Sequence, residues 1–191
     1  MCISRRQQGM TLIELIVFIV IVSVALAGVL TVLNITAKSS ADPMIRKQML
    51  AIAEALLEEV QLQPFTWCDP DDPNAATATG TAGCTAGYVE ASGPETIAAV
   101  VEARGNATTP FDNVNDYANL SLPSPILSST GSFSAPTGYS ASIAVTPEAL
   151  NGVGDATPAS ASLRISVTVT NGGESIVLEG YRTRHSPNLL P

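Results

Sequence analysis

Glu14 stands at the edge of nineteen uncharged residues, Leu15 to Leu33. A carboxylate bordering so long an apolar run is costly unless it finds a partner, which makes Glu14 a candidate functional residue. Cys68 and Cys84 form a second pair with chemistry in it. In an oxidising compartment they could close a loop of roughly 15 residues, worth about 3 kcal/mol by chain entropy; otherwise they are two thiols. Zinc is disfavoured, because His185 is the single histidine and no CxxC spacing occurs. Asp69, Asp71 and Asp72 offer oxygen ligands for calcium, yet they lack the alternation of an EF-hand and read as a solvated turn. Asp112 and Asp116 could be paired acids, but no histidine lies near them in sequence and the cysteines are expected to be oxidised. No catalytic residue, metal ligand or cofactor site is therefore assigned.

The elements that must position these residues begin with a helix. Nineteen apolar residues at 1.5 Å per residue cross a bilayer, and Arg5 and Arg6 before the run predict an N-in, C-out orientation. Thr11 and Glu14 also have the spacing of a capping box, which would make the acid a helix cap as well. A competing expectation is a cleaved secretory signal, with Ala25-Leu26-Ala27 as the recognition site before Gly28. Glu14, and an apolar run that continues past Ala27, argue against it.

The stretch Gly9-Met10-Thr11-Leu12-Ile13-Glu14-Leu15, behind a short basic leader, resembles the prepilin cleavage motif of type IV pilins and type II secretion pseudopilins. The resemblance implies that a membrane prepilin peptidase cuts between Gly9 and Met10 and methylates the new amine of Met10. It also implies that Glu14 pairs with the terminal amine of a neighbouring subunit during assembly. Met10 stands where phenylalanine is usual, and the chain has no proline before Pro43. Gly28 and Thr31 are candidates for loosening the helix instead. Cys2 falls in the leader, which leaves Cys68 and Cys84 as the only cysteines of the mature chain.

Beyond the membrane run, Ile45, Met49, Ile52, Leu56 and Val60 recur at helical spacing, widened by Ala53 and Leu57 into a stripe fit to cover a sheet. Asp42 or a nearby serine could cap a new helix with Pro43 in its first turn, so a bend or break is expected there, and Pro64 ends the element. Residues 65–94 read as a loop and 111–117 as a loop whose Asp and Asn side chains bond their own backbone. Thr96–Ala103 is β-compatible; Tyr139–Thr146 and Leu163–Val169 alternate, and Asn171-Gly172-Gly173 turns into a partner strand, Ile176–Tyr181. The expected fold is α+β: leader 1–9, transmembrane and filament-core helix 10–37, amphipathic helix 38–64, and a β-rich exported domain 65–191 containing a C-terminal antiparallel sheet.

The sequence around Ala51–Glu59, Gln63-Pro64-Phe65 and Cys68, together with 111–117, resembles MSHA-type (MshD-like) minor pilins of mannose-sensitive haemagglutinin pili. That resemblance implies a structural subunit without enzymatic activity, made in the bacterial inner membrane and partnered by prepilin peptidase and other pilins. A pseudopilin is the alternative within the superfamily; a single-pass anchored enzyme or receptor is the alternative from another class. The net charge of −8 and the lack of a basic cluster after the leader argue against nucleic-acid binding.

Overall fold

The computed structural model describes residues 9–97, 99–132, 134–153 and 161–185, with the side chains of 36–42 left aside. Helix α1 spans Leu12–Leu62. Among the described residues six strands follow: β1 (Thr96–Ile97), β2 (Val100–Val101), β3 (Leu120–Leu122), β4 (Tyr139–Pro147), β5 (Ser162–Asn171) and β6 (Glu174–Thr183). This is the expected α+β arrangement. The expected break at Pro43 is not present, since the helical backbone runs through it. Proline removes one donor from the ladder, and the bonds on either side remain to carry the helix past it. Two compact units divide the chain, residues 1–45 and 46–191.

In the second unit the strands β3-β4-β5-β6 form one antiparallel sheet, each paired with its neighbour in sequence. The alternation that announced β4 and β5 is their burial pattern. Tyr139, Ala141, Ile143 and Val145 are buried, as are Leu163, Ile165, Val167 and Val169, and Ile143 faces Val167 in the register. Gly172 and Gly173 form the two-residue hairpin connection, with Asn171 paired to Glu174 and Gly172 at φ 60°.

The C-terminal part of α1 covers the inner face of this sheet. Met49, Ala53, Leu56 and Val60 are its buried residues. The centre of the stripe therefore lies on Ala53, while Ile52 is only half-buried at its margin. Small residues let the elements approach closely. A Cβ at Gly180 would stand 2.4 Å from Gln61 Nε2 and 3.1 Å from Leu57 Cδ1, so strand β6 passes directly beneath the helix. The Arg182 guanidinium also donates to the Gln63 carbonyl, and Arg46 pairs with Glu174 at 3.1 Å.

Two further details differ from the sequence expectation. Thr96–Ala103 is not one strand: β1 and β2 fold back on each other, with Ala99 at φ 68° in the tight connection. Strand β3 was not anticipated; three residues are too few to display a period of two.

Candidate functional site

Gly9 and Met10 lie exposed and non-helical just before α1. Thr11 caps the helix: its hydroxyl oxygen accepts from the Glu14 N–H at 3.4 Å, and its carbonyl accepts from the Leu15 N–H at 3.2 Å. Glu14 occupies the first turn, where a negative charge is favoured by the helix dipole. Its side chain is exposed, and its carboxylate makes no hydrogen bond or ion pair among the described residues. The backbone half of a capping box is thus present, and the carboxylate is left available.

From Leu12 to Ile35 the helix is 24 residues long with mean hydropathy 3.0, sufficient in length and composition to cross a membrane. Its two hydroxyls are satisfied within the helix, Ser23 donating to the Ile19 carbonyl at 2.7 Å and Thr31 to the Ala27 carbonyl at 2.8 Å. Neither presents an unpaired donor to an apolar surrounding. Arg5, Arg6 and Cys2 lie outside the described residues.

In the second unit a disulfide joins Cys68 to Cys84, with Cα atoms 5.4 Å apart. Cys68 packs with Ala75 and Ala78, and Trp67 and Cys84 lie against them. The loop between the cysteines is pinned by Asp72, whose carboxylate accepts from the Asn74 N–H at 3.0 Å, the Thr85 N–H at 2.7 Å and the Thr85 hydroxyl at 2.7 Å. Burial pushes the Asp72 carboxyl up, but these three bonds outweigh it and hold it below its ordinary value. Asp72 is a structural tie, and only Asp71 of the three neighbouring acids is exposed. Asp69 is fully buried, so the solvated-turn expectation is overturned for both Asp69 and Asp72.

Asp69 belongs to a larger assembly. Oxygens of Asp69, Glu102 and Asp112 lie within 4.8 Å of one another, as do those of Glu90, Glu95 and Asp116. Local structure brings them together. Asn113 caps a short 3₁₀ turn, Val114–Tyr117, and the Asp116 carboxylate accepts from the N–H groups of Asp112 at 2.9 Å and Asn113 at 2.8 Å. The loop 111–117 is thus held by its own Asp and Asn side chains. Asn113 also donates to the Thr66 hydroxyl at 2.7 Å. The β1–β2 hairpin supplies Glu95 and Glu102 from its two ends, the Glu102 N–H donating to the Glu95 carbonyl.

Burial dominates the acidity of the group. It raises Glu90 to about 11, helped by the charges of Asp116 and Glu95, and Glu102 to about 9, with Asp116 contributing. Burial with the nearby Asp69 charge raises Asp112 to about 7. Asp116 rises to about 8 by burial and the Glu95 charge, against the two N–H groups that it accepts from. Asp69 and Glu95 are raised as well, again chiefly by burial. Arg184, stacked 3.9 Å from the Phe65 ring centroid and 3.8 Å from that of Trp67, contributes positive charge near Glu90, and burial brings its own pKa down to about 10. Asp69, Asp112 and Asp116 were visible as candidates in the sequence. Glu90, Glu95 and Glu102 were not, since isolated acids in polar segments carry no signal of burial.

His185 is exposed and bonds through its ring to the Thr183 carbonyl. It lies in none of these clusters.

Comparison with curated proteins and with solved structures gave no match. Comparison with family models gave one: residues 4–30 match the prokaryotic N-terminal methylation motif. That segment contains Gly9, Met10, Glu14 and most of the apolar span, and the match supports a type IV pilin-like or pseudopilin-like structural subunit that is anchored in a membrane by its N-terminal helix.

Proposed function

We propose that the chain is a minor or priming structural subunit of a type IV pilus of the MSHA type. The observation that carries this reading is the coincidence of the methylation motif over 4–30 with a capped apolar helix whose first turn exposes Glu14. Prepilin peptidase would cut between Gly9 and Met10 and methylate Met10. The N-in, C-out helix would first reside in the bacterial inner membrane and then enter the filament, where Glu14 would meet the terminal amine of another pilin. Residues 65–191 would form the exported part. No catalytic activity is assigned to the subunit.

Mass spectrometry of the chain isolated from cells tests the reading. The expected N-terminus is Met10, carrying a methyl group, with Gly9→Val accumulating as the membrane-bound precursor. An N-terminus at Gly28 would instead identify a secreted protein and remove the pilin reading. Recovery of the processed chain from purified pili separates a pilin from a pseudopilin.

A further inference from the structure

Six carboxylates converge in the second unit, in two adjoining groups of three. Acids are ordinarily buried only when paired or bonded, because an ionised carboxylate without partners is strongly destabilised in a low-dielectric interior. Here the pairing is incomplete in a patterned way. Asp69 uses one oxygen to accept from the Asp71 N–H, Glu95 one to accept from the Ala91 N–H, and Asp116 one to accept from two N–H groups. The opposite oxygen of each is buried and accepts from no N–H or hydroxyl; neighbouring carboxyl groups face one another there, Glu102 with Asp69 and Glu95 with Asp116. Neither oxygen of Glu90 has a hydrogen-bond partner, although the residue is only 5% exposed. Asp112 contributes a further buried oxygen without a partner.

We propose that this cluster binds a hard divalent cation of the Ca²⁺ type, seated on Glu90, Glu95 and Asp116, with Asp69, Glu102 and Asp112 beside it. Calcium takes six to eight oxygen ligands, and carboxylates can each supply one or two. The oxygens lacking an N–H or hydroxyl donor in this cluster belong to five different side chains. Their sister oxygens on Asp69, Glu95 and Asp116 are held by backbone donors, the arrangement that fixes the orientation of ligating carboxylates. Soft metals fit poorly, because the donor set is oxygen throughout and Cys68 and Cys84 are bonded to each other. Mg²⁺ fits less well than Ca²⁺, since it retains water and demands strict octahedral geometry.

The competing account of the same geometry is proton sharing between neighbouring carboxyl groups. One experiment distinguishes them. The detergent-solubilised full chain is stripped with a chelator and titrated with CaCl₂ by calorimetry, and its melting is followed with and without the ion. Saturable binding is expected, with the melting temperature rising by roughly 5–10 °C when Ca²⁺ is present at a hundred times its Kd. Glu90→Gln and Asp116→Asn should each weaken binding at least tenfold. In chelator these two variants should melt no lower than the parent, because each amide is a neutral shape match for a carboxyl group that burial already holds largely protonated, and that control shows that they fold. No Ca²⁺ heat up to about 10 mM, a range that includes the affinities of extracellular calcium modules, would overturn the proposal in favour of shared protons. Equal stabilisation by Mg²⁺ would overturn it in favour of general charge screening.

Discussion

Arg104 clasps Glu59 through two parallel hydrogen bonds, Nε to Oε1 at 2.7 Å and Nη2 to Oε2 at 2.6 Å. The pair ties α1 to the segment after β2 across 45 residues of sequence. Tyr117 strengthens the tie by donating its hydroxyl to the same Glu59 oxygen at 3.0 Å. The Arg104 side chain is 8% exposed and that of Glu59 20%, so removal of the cation strands a largely desolvated acid. Arg104→Ala should therefore lower the unfolding free energy by about 3 kcal/mol, as broken buried pairs do. Arg104→Lys should fall between, keeping the charge but losing the fork. Urea unfolding followed by near-ultraviolet circular dichroism measures both.

Reduction of the Cys68–Cys84 bond should cost about 3 kcal/mol, from the loop it closes in the unfolded chain. Thiol labelling of the denatured, non-reduced protein should modify neither residue. Stoichiometric labelling of both would show that the bond is absent in cells and leave the loop dependent on Asp72 and the loop's other hydrogen bonds.

At the N-terminus the separation of roles for Glu14 is testable by substitution. Glu14→Ala should be cleaved and inserted normally, because the apolar span is intact, but should enter filaments poorly. Glu14→Gln keeps the side-chain shape and the backbone capping bond, so a defect as large as that of Ala assigns the effect to charge. Glu14→Asp should be intermediate, with charge retained and reach reduced. Immunoblots of sheared filaments against membrane fractions give the readout, and wild-type incorporation of Glu14→Ala would reduce the residue to a helix cap.

The buried carboxylates also set a pH dependence for the chain in chelator. Their folded-state values lie above those of the unfolded chain, about 4 for Asp and Glu. Each therefore contributes stability that is fully present below about pH 4 and is lost as pH rises through its folded value. That loss passes through about 7 for Asp112, about 8 for Asp116 and about 9 for Glu102. Arg184, at about 10, stays charged through this window. Metal-free protein should thus melt higher at about pH 5 than at about pH 9, the reverse of a protein held by salt-bridged acids. A melting temperature that rises with pH in chelator would contradict this burial.

The β4 and β5 faces were legible because a strand buried on one side must alternate, and Tyr139 to Val145 and Leu163 to Val169 do so without a lapse. Glu14 was legible for the opposite reason, as a charge beside a run that tolerates none. What the sequence hides is partnership over distance. Glu59 reads as an ordinary exposed helix acid until Arg104 and Tyr117 are brought to it. Glu90, Glu95 and Glu102 violate the usual placement of acids, and no local pattern announces an exception whose members lie in separate turns. The centring of the helix stripe on Ala53 was hidden as well. Leu and Ile have the larger apolar surface, and nothing in the local spacing marks a small residue as the most deeply covered one.

The sheet is a meander, with each strand laid against the one made just before it. Such pairing closes local loops, from the two residues between β5 and β6 to the 16 between β3 and β4, and is kinetically accessible as soon as two consecutive strands exist. The helix has no such advantage. Gln48 waits for Tyr139, 91 residues later, and Gln63 for Arg182, 119 residues later. The apolar stripe Met49–Val60 is therefore synthesised first and buried last, and throughout translation the nascent chain carries a sticky surface whose cover has not yet been made.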